Sequence, residues 1–212
     1  TAEGCDVELV TAALQALGIT SFEQRLTTFA ELLPGLASGR RTLTTPLFIT
    51  AERRQLVDFS RPVWALGDGL LVRAGDRERL TGYRAVATAG ARLVAVGGQV
   101  QEQAGLAAGI APERIISVAT QEDAVAAVRD GRADAYASVA MAHRGYLARQ
   151  HDAELSVVNV PTSESAPAAG AFAIGKQHAA LRERLDAALE SLIGSDWHRT
   201  MMARHGFAAG EY

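Results

Sequence analysis

The residue with the most specific chemistry in this sequence is Arg53, which closes the turn Thr50-Ala-Glu-Arg53. A guanidinium presents a planar fork of N–H donors that fits a carboxylate through two parallel hydrogen bonds. For Arg54, which follows directly, a solvated surface position is the simpler interpretation. Arg53 is therefore a candidate for binding an acidic group.

A second candidate is the turn Gly98-Gln-Val-Gln-Glu102, which opens a predicted helix. Backbone N–H groups at the N-terminus of a helix bind anions readily. The amides of Gln99 and Gln101, on either side of Val100, could add polar contacts. The alternative is that Gln101 is an ordinary exposed residue of a first helical turn. The turn thus predicts a second polar contact surface.

No set of residues has the spacing of a catalytic or metal-binding motif. Nucleophile elbows, Walker loops and dinucleotide-binding glycine patterns do not occur in a usable context. The histidines stand at no ligand spacing beside cysteines or acids; they are His143, His151, His178, His198 and His205. We therefore expect no enzymatic activity, no cofactor and no metal site.

The composition is that of a globular protein with a small negative charge. Of the 212 residues, 48% are hydrophobic and 21% are charged, and the formal net charge is -3. No basic stripe stands out, so a nucleic-acid partner is not expected. The single cysteine, Cys5, excludes an internal disulfide. No apolar run reaches the ~18 residues that a membrane-spanning helix needs.

Apolar periodicity and helix caps place helices and strands in alternation along the chain. In chain order the predicted elements are a helix at 6–17, a strand within 19–27, strands at 92–96, 115–118 and 133–139 with helices between them, and helices at about 179–193 and 195–204. Strands that alternate with helices indicate an α/β fold, with mainly parallel sheets and helices on both faces.

Several sequence blocks, in a fixed order, give the chain a family resemblance. Together they resemble the family-3 extracytoplasmic solute-binding proteins, the amino-acid receptors of ABC importers, and in particular the ectoine/hydroxyectoine receptors. The blocks span nearly the whole chain and are Gly35–Arg40, Thr45–Arg53, Val57–Pro62, Gly69–Val72, Gly98–Glu102, residues 131–135 and the helix pair of Leu192–Phe207.

The resemblance implies a two-lobed periplasmic-binding-protein type II fold, the Venus-flytrap, whose α/β lobes close on a ligand. Carried over to this chain, lobe 1 would comprise residues 1–68 and 165–212, and lobe 2 the inserted residues 69–164. The segments near 65–68 and 164–170 would be the hinges, since lobe closure is a hinge motion of the usual kind.

The resemblance also implies roles for individual residues. Arg53 would hold the ligand carboxylate. Phe29 would form the bottom of the binding pocket, because an aromatic face can hold the aliphatic part of a ligand or a cation within ~6 Å of its centroid. Core packing is the alternative for Phe29. Thr45 and Pro46 belong to the strand that leads to the arginine turn, and residues 99–101 would contribute from lobe 2.

Two positions depart from the pattern of α-amino-acid receptors. Phe48 stands where many have Ser or Thr, although ectoine receptors carry an aromatic there; core packing explains Phe48 almost as well. Val139 stands where an aspartate usually pairs with the ligand ammonium, and Ser138 is the nearest polar residue. A buried ammonium without a full polar shell is costly. We therefore expect an ectoine- or betaine-like cation, or else an uncommon amino acid whose ammonium is held elsewhere.

The resemblance thus predicts a monomeric receptor that clamps a small zwitterion and delivers it to an ABC transporter permease. The sensor domain of a membrane receptor, such as a histidine kinase, uses the same clamp and is the alternative. An enzyme similar to cyclohexadienyl dehydratases is the third hypothesis. It is disfavoured because Val139 supplies no acid.

The resemblance implies a periplasmic location, or an extracellular one with a membrane anchor. No signal peptide is visible, and the chain starts directly before a helical pattern, whereas relatives start with a strand. We expect the sequence to begin inside the domain.

Overall fold

The computed structural model describes residues 3–212, which form two compact units. Unit 1 consists of the described residues up to Ala65 together with Ala168–Tyr212, and unit 2 consists of Leu66–Pro167. The chain therefore crosses between the units twice. The lobe boundaries predicted from the sequence differ from these crossings by a few residues. Hinge motion at the crossings stays a prediction.

Helices and strands alternate over most of the chain. The helices are α1 (Cys5–Ala16), α2 (Leu32–Ala37), α3 (Ala51–Leu56), α4 (Tyr83–Thr88), α5 (Val100–Ala107), α6 (Gln121–Arg129), α7 (Ala140–Gln150), α8 (Ala179–Leu192) and α9 (Asp196–Arg204). The strands are β1 (Leu43–Phe48), β2 (Asp58–Phe59), β3 (Trp64–Leu66), β4 (Asp68–Arg73), β5 (Leu93–Val96), β6 (Ile115–Val118), β7 (Ala135–Val139), β8 (Leu155–Asn159) and β9 (Ala168–Ile174).

In unit 1 the sheet is built around β9. The strand order is β1-β9-β2, and β3 also pairs with β9. β9 runs antiparallel to both β1 and β2, and Phe48 lies opposite Gly170. The sheet and α2 bury a common core, which is formed by Leu36, Leu47, Val57, Phe59, Ala171 and Ala173. This core fixes the end of β1 and the start of α3, where the candidate arginine lies.

In unit 2 the sheet has the strand order β6-β5-β7-β4-β8. β5 runs parallel to β6 and β7, whereas β4 runs antiparallel to β7 and β8. Every residue of β5 is buried. Because successive side chains of a strand point to opposite faces, both faces of this sheet are covered at β5.

The expectation of mainly parallel sheets was wrong, although the α/β class is correct. Strands joined through helices do run in one direction: β1 with β2, and β5 with β6, β7 and β8. In each sheet one strand opposes them, β9 in unit 1 and β4 in unit 2. Each of these two strands begins at a crossing between the units and inserts between parallel neighbours. Most ladders are therefore antiparallel.

The strand expected within 19–27 does not form. The segment pairs with no strand of the described chain, and Leu26 is 88% exposed. Its apolar residues Ile19, Phe22 and Leu26 suit a strand, but a strand needs a hydrogen-bonding partner. β-propensity alone does not supply that partner.

Candidate functional site

Arg53 lies in the first turn of α3, and two hydrogen bonds within unit 1 help to fix it there. Thr50 caps the helix, because its Oγ1 accepts a hydrogen bond from the backbone N–H of Arg53 at 3.2 Å. The Arg53 Nη1 atom donates to the carbonyl oxygen of Phe48 at 2.8 Å. The residue is only 7% exposed. The guanidinium is therefore fixed in position and largely shielded from water.

The surroundings of Arg53 suit an anion. Its guanidinium carbon lies 5.7 Å from the ring centroid of Phe29, within cation–π range. Burial lowers the pKa of Arg53 from its ordinary value, yet a guanidinium remains protonated in proteins. Because water screens a buried charge less than an exposed one, this cation attracts a carboxylate strongly.

Phe48, whose carbonyl accepts from Arg53, packs against a second aromatic side chain. Phe48, at the end of β1, meets Trp64 edge-to-face, with ring centroids 5.3 Å apart. Gly170 lies opposite Phe48 on β9, and a Cβ atom there would be 2.1 Å from the Trp64 ring. Only glycine therefore allows the indole to lie on β9. In unit 1 the Phe29 ring and the Phe48 carbonyl both lie against Arg53, and a ligand-binding role for these residues stays a prediction.

The remaining unit 1 candidates have other partners. Thr45 is exposed, and its hydroxyl donates to Oδ2 of Asp6 at 3.1 Å. Pro46 is buried in β1 opposite Phe172. Thr45 thus supports an acidic side chain that the sequence analysis had not singled out.

Asp6, in the first turn of α1, is a half-buried carboxylate of unit 1. It also accepts hydrogen bonds from Trp64 and from the thiol of Cys5. Burial raises the pKa of Asp6 above its ordinary value, against the effect of these donors. Burial and the neighbouring Asp6 raise the pKa of Cys5 to about 12. Cys5 is therefore a protonated packing residue and not a reactive thiolate.

In unit 2 the turn at 99–101 opens α5. Gly98 adopts a φ of 86°, a left-handed conformation that favours glycine. Gln99 occupies the N-cap position without capping the helix, and its Oε1 is buried with no hydrogen-bond partner among the described residues. Val100, half-buried, is the first residue of α5. Gln101 is only 2% exposed, so it is not the exposed helix residue of the alternative hypothesis.

Gln101 points to Asp68, a second carboxylate that the sequence analysis missed. Asp68 is 6% exposed and accepts three hydrogen bonds: from Gln101 Nε2 at 2.7 Å, from the Ser165 hydroxyl at 2.8 Å and from the Tyr83 hydroxyl at 2.9 Å. Burial, followed by the charge of Asp68, raises the pKa of Tyr83, so its hydroxyl stays a donor. The only signal in the sequence was an acid directly before the apolar run at 69–72.

Ser138 and Val139 end β7 and face opposite sides of the sheet. Val139 is half-buried and lies opposite Asp68, whereas Ser138 lies opposite Gly69. Ser138 is 7% exposed and forms a side-chain hydrogen bond with Tyr136. Gln101, Val139 and Asp68 are therefore brought together, and Ser138 is directed away from them.

Across residues 3–212, no group of three or more His, Cys, Asp or Glu side chains is arranged to hold a metal ion. No helix within those residues combines the length and the apolar character needed to cross a bilayer.

Comparison with known proteins shows similarity along the chain. The model of the family "Bacterial extracellular solute-binding proteins, family 3" matches residues 1–207. A probable amino-acid ABC transporter periplasmic-binding protein, y4tE of Sinorhizobium fredii (strain NBRC 101917 / NGR234), is 30% identical over 211 residues, which are 97% of this chain and 70% of that protein.

Solved structures of similar fold are also known. EhuB in complex with hydroxyectoine is 24% identical, with a TM-score of 0.88 over 98% of this chain and 81% of that one. AbpA of Streptococcus pneumoniae bound to L-arginine is 21% identical, with a TM-score of 0.86 over 96% of this chain and 83% of that one. ArtJ of Geobacillus stearothermophilus, described as an arginine-, lysine-, histidine-binding protein, is 20% identical, with a TM-score of 0.87 over 96% and 85%. These likenesses confirm the predicted fold of the periplasmic-binding-protein type.

Proposed function

Because this chain belongs to the bacterial extracellular solute-binding proteins of family 3, we propose that it captures a small zwitterionic solute and that Arg53 holds the solute's carboxylate. The observation that carries the proposal is the buried guanidinium, 7% exposed and anchored on the Phe48 carbonyl. An arginine anchored in this way is preorganised, so binding costs little side-chain entropy.

The aromatic residues around Arg53 support a compact ligand. Phe29 lies over the guanidinium, and Phe48 packs against Trp64. Rings of this kind hold an aliphatic or alkylated body through their faces. An amino acid, an ectoine-like compound and a betaine all combine such a body with a carboxylate. Hydroxyectoine and L-arginine, the compounds bound in the solved structures of EhuB and AbpA, both combine such a body with a carboxylate.

We propose further that the protein acts outside the cytoplasm as the receptor of an ABC importer, in contact with its permease. The support is the family itself, whose members are extracellular solute-binding proteins, and the curated relative, which is described as a periplasmic-binding protein of an amino-acid ABC transporter. Its action as a monomer, and attachment to a membrane, are parts of the same proposal.

The carboxylate assignment is tested by replacing Arg53. Titration calorimetry would measure the affinity for hydroxyectoine, glycine betaine, L-proline and L-arginine, and the tightest of these would be used with the variants. We expect Arg53→Ala to weaken binding by about 2–5 kcal/mol, because a desolvated carboxylate loses its charged partner.

The neighbouring Arg54 offers a matched control. Arg54 is exposed and lies over the ring of Phe59. Arg54→Ala removes the same charge from the next position and should bind the solute as the unmodified protein does. Equal affinity of Arg53→Ala and Arg54→Ala would refute the assignment of the carboxylate to Arg53. Failure of every compound to bind the unmodified protein would refute the zwitterion proposal itself.

A further inference from the structure

Unit 2 contains a buried acid, Asp68, beside Val139, the position at which amino-acid receptors usually have an aspartate. We propose that Asp68 receives the positive charge of the zwitterion. This inference rests on the proposed function, because it assigns the second charge of the same ligand. Three observations support this role: the position of Asp68 in the sheet, the hydrogen bonds that its carboxylate accepts, and the lack of a described counter-ion for that carboxylate.

The strand register places Asp68 beside Val139. The two residues are direct partners in the antiparallel ladder of β4 and β7. Side chains of such partners project from the same face, with Cβ atoms about 4.5–5.5 Å apart. Val139 is half-buried at the end of its strand. A cation that reaches the Val139 side chain therefore comes within a few ångströms of the Asp68 carboxylate.

The same face carries the turn that opens α5. Gln101, in the first turn of this helix, donates its Nε2 to Oδ1 of Asp68 at 2.7 Å. Asp68 therefore fixes the side chain of a candidate ligand-binding turn as well as the end of its own strand. Ser138, whose side chain projects from the other face, cannot take this role.

The charge of Asp68 is not offset inside the described part of the protein. Its three partners, Tyr83, Gln101 and Ser165, are all neutral donors. No ion pair joins Asp68 to an arginine, lysine or histidine among residues 3–212. A buried charge that lacks a counter-ion is costly. A cationic group of the ligand would act as the counter-ion of the Asp68 carboxylate.

The arrangement of donors also indicates the class of cation. Each carboxylate oxygen has about two acceptor sites. Oδ2 accepts from Tyr83 and Ser165, whereas Oδ1 accepts from Gln101 alone. One acceptor site on Oδ1 remains for a ligand N–H. The structure thus favours an ammonium, or a ring cation that carries an N–H, over a fully alkylated betaine.

The test compares each zwitterion with an analogue that lacks the cation beside the carboxylate. The pairs are L-proline and cyclopentanecarboxylate, L-arginine and 5-guanidinopentanoate, and glycine betaine and 3,3-dimethylbutanoate. Calorimetry on the whole chain gives the affinity ratio within each pair. We expect the unmodified protein to prefer the zwitterion of an N–H pair, and Asp68→Asn to reduce that preference by about tenfold or more. A general loss of stability lowers both affinities and leaves the ratio unchanged.

Two further variants separate charge from folding. In Asp68→Asn/Val139→Asp the acid moves to the partner strand, and the preference should return. Val139→Lys keeps the hydrogen bonds of Asp68 but places an ammonium beside it, so the preference should vanish even if Asp68→Asn does not fold. Asp186→Asn is the control, because this half-buried acid of unit 1 is bound to Arg61 and Arg182; its ratio should match that of the unmodified protein.

The outcomes distinguish the two proposals. If the unmodified protein binds a zwitterion and its analogue without the cation beside the carboxylate equally, the role of Asp68 is overturned while the carboxylate at Arg53 stands. The same follows if Asp68→Asn and Val139→Lys keep the full preference. A preference confined to glycine betaine would overturn the assignment of an N–H cation. If no compound of the panel binds, the proposed function fails and the inference fails with it.

Discussion

Two buried side chains of opposite charge carry the recognition that we propose, Arg53 in unit 1 and Asp68 in unit 2. Arg53 is 7% exposed and Asp68 is 6% exposed. Both are positioned by hydrogen bonds to neighbouring groups before any ligand arrives.

At the residue scale, His143 predicts a dependence of stability on pH. It is 1% exposed, contacts the carbonyl oxygen of Gly69 at 3.2 Å and packs edge-to-face on Tyr136. Burial lowers the pKa of His143 to about 4 from an ordinary 6.5. Because the unfolded chain binds this proton more readily, stability is complete above pH 6.5 and is lost as the pH falls toward 4. The loss should be about 3 kcal/mol.

Urea unfolding at several pH values would measure this dependence. In His143→Gln the ring no longer titrates, so the fall in the free energy of unfolding between pH 6.5 and pH 4 should be smaller than in the unmodified protein by about 3 kcal/mol. A profile of His143→Gln that parallels the unmodified one would contradict the assignment.

At the scale of elements, helix caps position the candidate residues. Thr50 begins α3 by accepting from the N–H of Arg53 at 3.2 Å, and Thr120 begins α6 by accepting from the N–H of Asp123 at 3.1 Å. Removing a cap of this kind costs about 1 kcal/mol of stability. The two caps are alike, but only the first supports a residue of the proposed site.

We therefore predict different results for two similar substitutions. Thr50→Ala should lower the free energy of unfolding by about 1 kcal/mol and also weaken solute binding, because Arg53 loses its fixed backbone. Thr120→Ala should cost a similar amount of stability and leave affinity unchanged. Thermal unfolding and calorimetry on both variants provide the comparison. Equal affinities would show that the α3 cap plays no part in positioning Arg53.

At the scale of the molecule, the two crossings of the chain between its units predict a hinge. The crossings fall after Ala65 and after Pro167. If the units close on a solute, the radius of gyration should fall when a bound zwitterion reaches saturation. Small-angle scattering with and without the ligand would measure it, and Arg53→Ala at the same ligand concentration should show no change. Identical radii of the free and saturated protein would count against closure.

The sequence by itself determined the features that depend on local order. The α/β class follows from the alternation of helices and strands. The family follows from ordered blocks such as Thr45–Arg53 and Val57–Pro62, which match along nearly the whole chain. Arg53 could be named because the family resemblance includes the turn Thr50-Ala-Glu-Arg53, a motif of four consecutive residues that needs no distant contact to be recognised.

Only the tertiary structure decided what depends on pairing between distant segments. β4 and β9 each insert between two parallel strands and pair with both in the antiparallel direction. The alternation of helices and strands in the sequence had predicted parallel pairing instead. The same pairing brought Asp68 opposite Val139 and joined it to Gln101 and Ser165. Strand register is set by the packing of whole faces and cannot be read from one strand alone. The sequence shows Val139 without an acid, but it does not show that Asp68 of the neighbouring strand lies opposite.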